Sequence, residues 1–151
     1  MGKTIYLWDI SEGWKPFNYD AEETKKALSD RNITIGNSAK IGNSAKIGNS
    51  AKIGDSAKIG DSAEIGNFAK IGDFAEIGNK EIVLKTIFIT GTRHTMAWYG
   101  TNEINIGCYK KSISWWLKNG KRVAIRENYS EEQIEEYRQY VLICKKLQTC
   151  K

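Results

Sequence analysis

The chain contains 151 residues, which is enough for one domain with a substantial core or for two small units. Its mean hydropathy is −0.50, and no segment approaches the roughly 20 apolar residues that a membrane-spanning helix needs. The net charge of +5 arises in residues 81–151, where twelve Lys and Arg residues outnumber seven Asp and Glu residues. This excess favours an anionic partner, but it is too small to indicate nucleic-acid binding.

The N-terminus and the cysteines predict a cytoplasmic protein that does not associate with membranes. The first residues lack the apolar segment of about 7–15 residues that a signal peptide carries. Cys108, Cys144 and Cys150 are odd in number and show no CxxC spacing. We therefore expect reduced thiols, with neither a disulfide framework nor a metal site.

The first 32 residues predict a strand, an aromatic-rich loop and a short helix. Residues 3–8 form the strand, residues 11–19 the loop and residues 21–30 the helix, with Asp20 as its N-cap and Glu23 completing a capping box. A helix at this position would close one end of the structure that follows. Such closure is needed because unpaired strand edges promote aggregation.

A six-residue repeat occupies residues 33–79. Each unit reads Ile-Gly-(Asn/Asp)-(Ser/Phe)-Ala-(Lys/Glu), and Ile recurs without exception from Ile35 to Ile77. Within a unit, Ala and Ile point to one side of a short strand and Lys or Glu to the other. Gly and Asn/Asp then favour a turn. A helix is excluded because each Gly would cost about 1 kcal/mol relative to Ala.

This unit resembles the repeat of the hexapeptide-repeat family. The resemblance implies a left-handed parallel β-helix with three hexapeptides per coil, and assembly as a homotrimer. Eighteen residues per coil predict three ladders of stacked side chains, namely Ile35/Ile53/Ile71/Ile89, Ile41/Ile59/Ile77 and Ile47/Ile65/Val83.

The predicted fold class is mainly β, with a short left-handed parallel β-helix of about three coils. An N-terminal strand and helix occupy residues 1–32, the β-helix residues 33–90, and a C-terminal α+β cap residues 91–151. The cap is predicted to contain two strands, at 96–99 and 104–109, followed by two helices. The first helix spans 113–126 with Ser112 as N-cap, and the second begins at Ser130 with Gln133 as its capping-box partner.

Four outward residues of the β-helix predict a contact surface. Lys52 stacks on Lys70, whereas lysine meets glutamate in the other two ladders. Phe68 and Phe74 replace Ser at two corners, and an aromatic side chain on a polar corner indicates a contact. We assign these four residues to an interface with a neighbouring subunit or with the C-terminal part. A solvated lysine pair remains the alternative for Lys52 and Lys70.

The C-terminal part carries a second resemblance. The order Gly-Thr-Arg-His, then Tyr, then Ile-Gly-Cys, then two capped helices is similar to a module that follows hexapeptide or pentapeptide repeats in phage-encoded and gut-bacterial proteins. The resemblance implies a phage or mobile-element origin, and therefore action in a host cytoplasm and counter-defence as a candidate role.

His94 is the only histidine, and it follows the last repeat. Hexapeptide acyltransferases use one histidine as general base, so the resemblance makes His94 a candidate catalytic residue with acetyl-CoA or another acyl-CoA as cofactor. No repeat is interrupted by an acceptor-binding loop, however, which disfavours this activity. Cys108 could pair with His94 as a nucleophile, but a buried strand cysteine is the favoured interpretation.

A cluster of cationic and aromatic residues predicts a ligand site in the C-terminal part. Its members would converge if neighbouring strands pair, and they are Arg93, His94, Thr95, Trp98, Tyr99, Lys110 and Lys111. Such a set suits a small anionic, ring-bearing ligand such as a nucleotide. A solvated basic turn is the alternative.

Three functions therefore stay open. The favoured one is a non-enzymatic, oligomeric binding protein without a cofactor, which captures such a ligand or a host protein. The others are an acyl-CoA-dependent transferase and a structural trimerisation scaffold.

Overall fold

The structure, a computed structural model, describes residues 2–149, so that Cys150 lies outside the described residues. The chain divides into two compact units, Met1–Lys85 and Thr86–Lys151. The segment 86–90, which the sequence assigned to the β-helix, therefore belongs to the second unit.

The first unit begins with a hairpin of β1 (Thr4–Asp9) and β2 (Gly13–Asn18). The predicted first strand is present, but the predicted loop over residues 11–19 is wrong, because most of it forms β2. Pro16 obscures this strand in the sequence, since proline cannot donate to a ladder. It is tolerated here because β2 lies at the edge of its sheet.

Helix α1 (Glu22–Asp30) follows the hairpin. Its N-cap is Ala21 and no side chain caps it, so the prediction of Asp20 as N-cap is wrong. A turn replaces the cap: the carbonyl oxygen of Asn18 accepts hydrogen bonds from Ala21 N at 3.1 Å and from Thr24 Oγ1 at 2.5 Å.

Nine short strands, each at the predicted strand position of its hexapeptide, build the coils. They are β3 (Thr34–Ile35), β4 (Lys40–Ile41), β5 (Ala45–Ile47), β6 (Lys52–Ile53), β7 (Lys58–Ile59), β8 (Glu64–Ile65), β9 (Lys70–Ile71), β10 (Glu76–Ile77) and β11 (Ile82–Val83). They pair in parallel in three sheets, in the orders β3-β6-β9, β4-β7-β10 and β5-β8-β11, and β1 and β2 extend the third sheet beyond β5. The predicted fold class, a short left-handed parallel β-helix with a helical C-terminal region, is confirmed.

The 18-residue register is also confirmed. Ile53 pairs with both Ile35 and Ile71, and Ile65 pairs with both Ile47 and Val83. The side chains of the Ala and Ile ladders fill the interior, where Ala45, Ala57 and Ala63 are fully buried. The N-terminal elements cover the first coil, since β1 pairs with β5 and the carbonyl oxygen of Arg31 accepts a hydrogen bond from Ser50 N at 2.8 Å.

The corners of the coils share one backbone conformation. The residue after each Asn or Asp has a φ of 56–62°, which is the left-handed region, and in the first five corners this residue is Ser. The Asn or Asp side chain then accepts a hydrogen bond from the backbone of the coil below. Asn67 Oδ1, for example, accepts from Asn49 N at 2.8 Å, and Asp73 Oδ1 accepts from Asp55 N at 2.9 Å.

The second unit packs two helices on a four-stranded antiparallel sheet. Its elements are β12 (Ile87–Thr90), β13 (Thr95–Trp98), β14 (Glu103–Ile106), β15 (Tyr109–Ser112), α2 (Ile113–Arg126) and α3 (Glu131–Thr149), with the strands in sequential order. The stacking of Ile89 on Ile71 is therefore wrong. Ile89 instead pairs with Met96, because β12 turns back at residues 91–94 and pairs with β13.

The sheet has four strands, whereas two were predicted for the cap, because β12 joins it and residues 104–109 do not form one strand. The sequence placed Gly107 and Cys108 inside a strand, whereas Ile106 pairs with Tyr109 and these two residues form the turn between β14 and β15. Gly107 has a φ of 56°, which a glycine adopts without strain. The prediction of Cys108 as a buried strand cysteine is wrong for this reason, since the thiol is exposed at the turn.

Both predicted C-terminal helices and their caps are present. Ser112 accepts a hydrogen bond from Trp115 N, while Ser130 and Gln133 form a reciprocal capping box. One face of each helix contributes to a core with the sheet, whose members are Met96, Trp98, Ile104, Ile106, Ile113, Trp116, Tyr137, Val141 and Cys144.

Candidate functional site

The second unit contains an open cleft of about 1120 Å³. The turns after β12 and β14 line it on one side, and α2, α3 and the loop between them line it on the other. Its apolar surface comes from residues such as Trp116, Leu117 and Val141. Charged residues of both signs complete the wall, namely Lys121, Arg138, Glu127, Glu131 and Glu135.

The turn between β12 and β13 is anchored to α3. The carboxylate of Glu136 accepts hydrogen bonds from Thr92 N at 2.9 Å and from Thr92 Oγ1 at 2.5 Å. Tyr140 Oη donates to the same carboxylate at 2.7 Å. These hydrogen bonds, chiefly those from Thr92, lower the pKa of Glu136. The anchoring fixes the residues that follow Thr92 at the cleft.

Arg93 ties the same turn to the end of α2. Its guanidinium donates hydrogen bonds to the carbonyl oxygens of Glu127 at 2.9 Å and Asn128 at 3.2 Å. It also lies 4.9 Å from the centre of the Tyr129 ring. A cation at a helix C-terminus satisfies carbonyl groups that have no partner within the helix. Arg93 is thus occupied by structural contacts.

His94 is held by two tyrosines. Its backbone N donates to Tyr137 Oη at 2.5 Å, and its carbonyl oxygen accepts from the same hydroxyl at 2.6 Å. The ring Nδ1 hydrogen-bonds to Tyr129 Oη, and the two rings stack at 5.9 Å between centres. Burial raises the pKa of Tyr129, so its phenol is protonated at neutral pH. His94 therefore lines the cleft in a fixed orientation.

The two described cysteines occupy opposite environments. Cys108 is exposed and lines the cleft beside Gly107. Cys144 is fully buried in the core, and burial raises the pKa of its thiol to about 11. A reactive thiol in this unit can therefore come from Cys108 and not from Cys144.

Comparison with known proteins bears on the first unit. Residues 32–67 match the family model described as bacterial transferase hexapeptide (six repeats). The six-residue repeat of this chain thus matches the repeat of that family over residues 32–67. No curated protein and no solved structure matches the chain. The family match ends before His94, so it carries no information on the cleft.

The structure brings few of the sequence-predicted ligand residues together. His94 lines the cleft, whereas Thr95 is exposed on β13. Trp98 is fully buried in the core, where its Nε1 donates to Thr101 O, and Tyr99 is 6 % exposed. Trp98 belongs to the core that the two helices form with the sheet, and neither buried ring offers a face for a ligand to stack on.

The two predicted lysines also have other contacts. Lys110 forms an ion pair with Glu103 at 3.3 Å, and Lys111 lies 5.3 Å from the centre of the Trp115 ring. Neither lines the cleft. The sequence did not identify Tyr129, Tyr109 and Leu117 as cleft residues, because their position at the cleft depends on how the helices return to the sheet.

In the hexapeptide-repeat unit, the four predicted interface residues lie around one face. Lys52 pairs in register with Lys70 along β6 and β9, and Phe68 and Phe74 occupy the corners on either side of β9. The two phenyl side chains are 78 % and 75 % exposed. Both residues have a φ near 60°, which is unusual for a bulky side chain.

Residues 2–149 contain no group of three or more His, Cys, Asp or Glu residues that could hold a metal ion. No helix in this part of the chain is long and apolar enough to cross a membrane.

Proposed function

We propose that this is a non-enzymatic binding protein whose C-terminal unit takes a small ring-bearing molecule into the cleft beside His94. The observation that carries the proposal is the wall of aromatic rings at this position. Tyr129 and Tyr137 lie edge to face at 5.3 Å, and His94 stacks on Tyr129. Planar faces with polar edges favour planar ligands, and the cleft volume is of the order of known ligand sites.

The charges around the cleft revise the expectation of an anionic ligand. Arg93 donates to backbone carbonyls, and Lys110 is paired with Glu103. The cleft itself is lined by two cationic and three anionic side chains. Binding should therefore depend on the ring of the ligand more than on a phosphate group.

A titration with adenosine and AMP tests this function. We expect both compounds to shift the amide NMR signals of His94, Cys108 and Tyr129, with dissociation constants within about threefold of each other. Leu117→Ala should weaken binding because this side chain lines the cleft, and it should leave the fold intact because the side chain is 38 % exposed.

The matched control is Ile143→Ala, which truncates a side chain of α3 that is 45 % exposed and does not line the cleft. Absence of shifts with either compound would count against the function. If AMP binds and adenosine does not, the anionic ligand expected from the sequence becomes the favoured one.

We also propose that the hexapeptide-repeat unit assembles the protein into a homotrimer, since hexapeptide-repeat proteins commonly form trimers. Light scattering coupled to size-exclusion chromatography measures the mass directly. A mass near 51 kDa is expected, which is about three times the 17.1 kDa of one chain. A mass near that of a single chain at micromolar concentration contradicts the assembly.

An acyl-CoA-dependent transferase remains a second candidate. The description of the matching family as a transferase supports it, and so does a histidine on the wall of a cleft. Thiol release from acetyl-CoA in the presence of amine and sugar acceptors is the measurement. If the wild type turns over acetyl-CoA and His94→Ala does not, the protein is a transferase and the proposed binding function is wrong.

A further inference from the structure

The contact between His94 and Tyr129 bears on which ring nitrogen carries the imidazole proton. Tyr129 Oη meets Nδ1 of His94, and the structure gives this hydroxyl no other partner among residues 2–149. If Nδ1 carried the proton and donated it, the phenolic hydrogen would have no protein acceptor. If the phenol donates, both groups are satisfied. The second arrangement places the imidazole hydrogen on Nε2.

The Nε2 atom has no partner among the described residues, and His94 lines the cleft. Gly107, which also lines the cleft, packs against the ring, since a Cβ at that position would lie 3.1 Å from His94 Cδ2. The turn between β14 and β15 thus approaches the edge of the ring without covering it by a side chain.

We propose that Tyr129 fixes His94 in the Nε2–H tautomer, so that the cleft offers a hydrogen-bond donor and selects planar ligands with an acceptor on the ring. The selected chemistry is an aromatic ring nitrogen or a ring carbonyl. This inference rests on the proposed binding function and names the ligand class for the same cleft. Tyr129 acts through His94, and it is therefore a positioning residue.

The same tautomer disfavours general-base catalysis. A base that abstracts a proton from an acceptor in the cleft needs an unprotonated nitrogen facing the cleft. In the Nε2–H form, the unprotonated nitrogen is Nδ1, which is engaged by Tyr129. One structural feature therefore separates the binding function from the transferase.

The tautomer can be measured without any ligand, because the chain has a single histidine. In the full-length protein labelled with ¹⁵N, two-bond correlations at pH 8 report the protonated nitrogen. We expect a protonated Nε2 in the wild type. Tyr129→Phe should shift the signals towards a mixture of tautomers, and Tyr140→Phe, which removes a hydroxyl that bonds to Glu136, should leave them unchanged. A protonated Nδ1 in the wild type overturns the inference.

Ligand selection is tested with quinoline and indole, which are bicyclic rings of similar size. Quinoline offers a ring acceptor, whereas indole offers a donor. We expect quinoline to bind about fivefold tighter than indole, as one net hydrogen bond gives. This preference should fall to within about twofold in Tyr129→Phe and persist in Tyr140→Phe.

The two proposals fail in different ways. If both rings bind equally to the wild type, the selection by His94 is wrong while the binding function stands. If quinoline, indole, adenosine and AMP all fail to bind, the binding function and the selection are both wrong. The NMR measurement still decides the tautomer in that case.

Discussion

At the residue scale, Gly54 and Gly120 show how differently one residue type is used in the two units. A Cβ on Gly54 would lie 2.4 Å from Asp73 Oδ1 and 2.6 Å from Asp73 N in the next coil. A Cβ on Gly120, in the middle of α2, would meet Trp116 Cε3 at 3.6 Å, which is an ordinary contact. The first glycine is required by the approach of two backbones, and the second is not.

The change of each glycine to alanine should therefore have opposite effects. Gly54→Ala should lower the free energy of unfolding by about 3 kcal/mol, because the coils must separate to admit the methyl group. Gly120→Ala should raise it by about 0.5–1 kcal/mol through its higher helix propensity. Denaturant unfolding measures both. Equal effects of the two changes would contradict the close approach of the coils at Gly54.

The buried thiol of Cys144 gives a prediction on reactivity and pH. At pH 8, iodoacetamide should modify Cys108 in the native protein and leave Cys144 unmodified, which peptide mapping by mass spectrometry can show. An unfolded thiol ionises near pH 8.5, whereas burial raises the pKa of Cys144 to about 11. The native state therefore retains a proton that the unfolded state loses, and stability should decrease as the pH rises from about 8.5 to 11.

The control is Cys144→Ala, in which this part of the pH dependence should be absent, even though the loss of the side chain lowers stability at every pH. Modification of Cys144 at the rate of Cys108 would show that α3 opens readily from the sheet.

At the scale of the element, each corner of the β-helix is joined to the one below by the side chain of an Asn or Asp. Asn67 Oδ1 accepts a hydrogen bond from Asn49 N. Below Asn49, the equivalent position is Arg31, whose backbone N donates to Leu28 O at the end of α1 instead. Asn49 Oδ1 is therefore buried without a partner among the described residues. Two adjacent members of one ladder thus differ in whether their side-chain oxygen is satisfied.

This difference predicts that alanine substitution changes stability differently at Asn67 and Asn49. Asn67→Ala should lower the free energy of unfolding by about 1 kcal/mol, because it leaves Asn49 N without its acceptor. Asn49→Ala should be neutral or slightly stabilising, because it removes a buried oxygen that has no partner. Thermal unfolding of the two variants side by side measures the effect, and a larger loss for Asn49→Ala would contradict the ladder.

At the scale of the whole molecule, Phe68 and Phe74 lower the stability of a single chain. A bulky residue in the left-handed region costs of the order of 1 kcal/mol, and the exposed rings recover little of it by burial. If the rings are buried between subunits, Phe68→Ser with Phe74→Ser should convert the trimer to smaller species. Light scattering at several concentrations would show the change, with Lys40→Ser on another face as the control.

The sequence predicted the coils because every hexapeptide obeys the same constraint. Ile35, Ile53 and Ile71 must stack to exclude water, so the 18-residue register follows from the spacing alone. The second unit contains no repeat that constrains its strands in this way. Its alternation predicted a strand through Cys108, whereas Gly107, with a positive φ, turns the chain there.

The cleft could not be predicted from the sequence, because it is formed by residues that are distant along the chain. It depends on Tyr129, which lies in the loop between α2 and α3, reaching His94 in the turn between β12 and β13, 35 residues earlier. No local pattern encodes this contact. The position of a buried aromatic such as Trp98 likewise depends on which face of its strand the helices cover, and the sequence shows an aromatic pair without showing the face.

The ladder of corner side chains has a consequence for the way in which such a chain can lengthen. Each rung joins residues 18 positions apart, and Val83 keeps its place over Ile65 only if complete turns separate them. Because the hexapeptides are nearly identical, insertion of one or of three would still place an Asn or Asp over an Asn or Asp in each rung. Insertion of one hexapeptide would nevertheless move every later strand to the neighbouring face, and only insertions in multiples of 18 residues keep β11 in the sheet of β5 and β8. The natural unit of growth in this protein is thus the coil, although the unit visible in its sequence is a third of that.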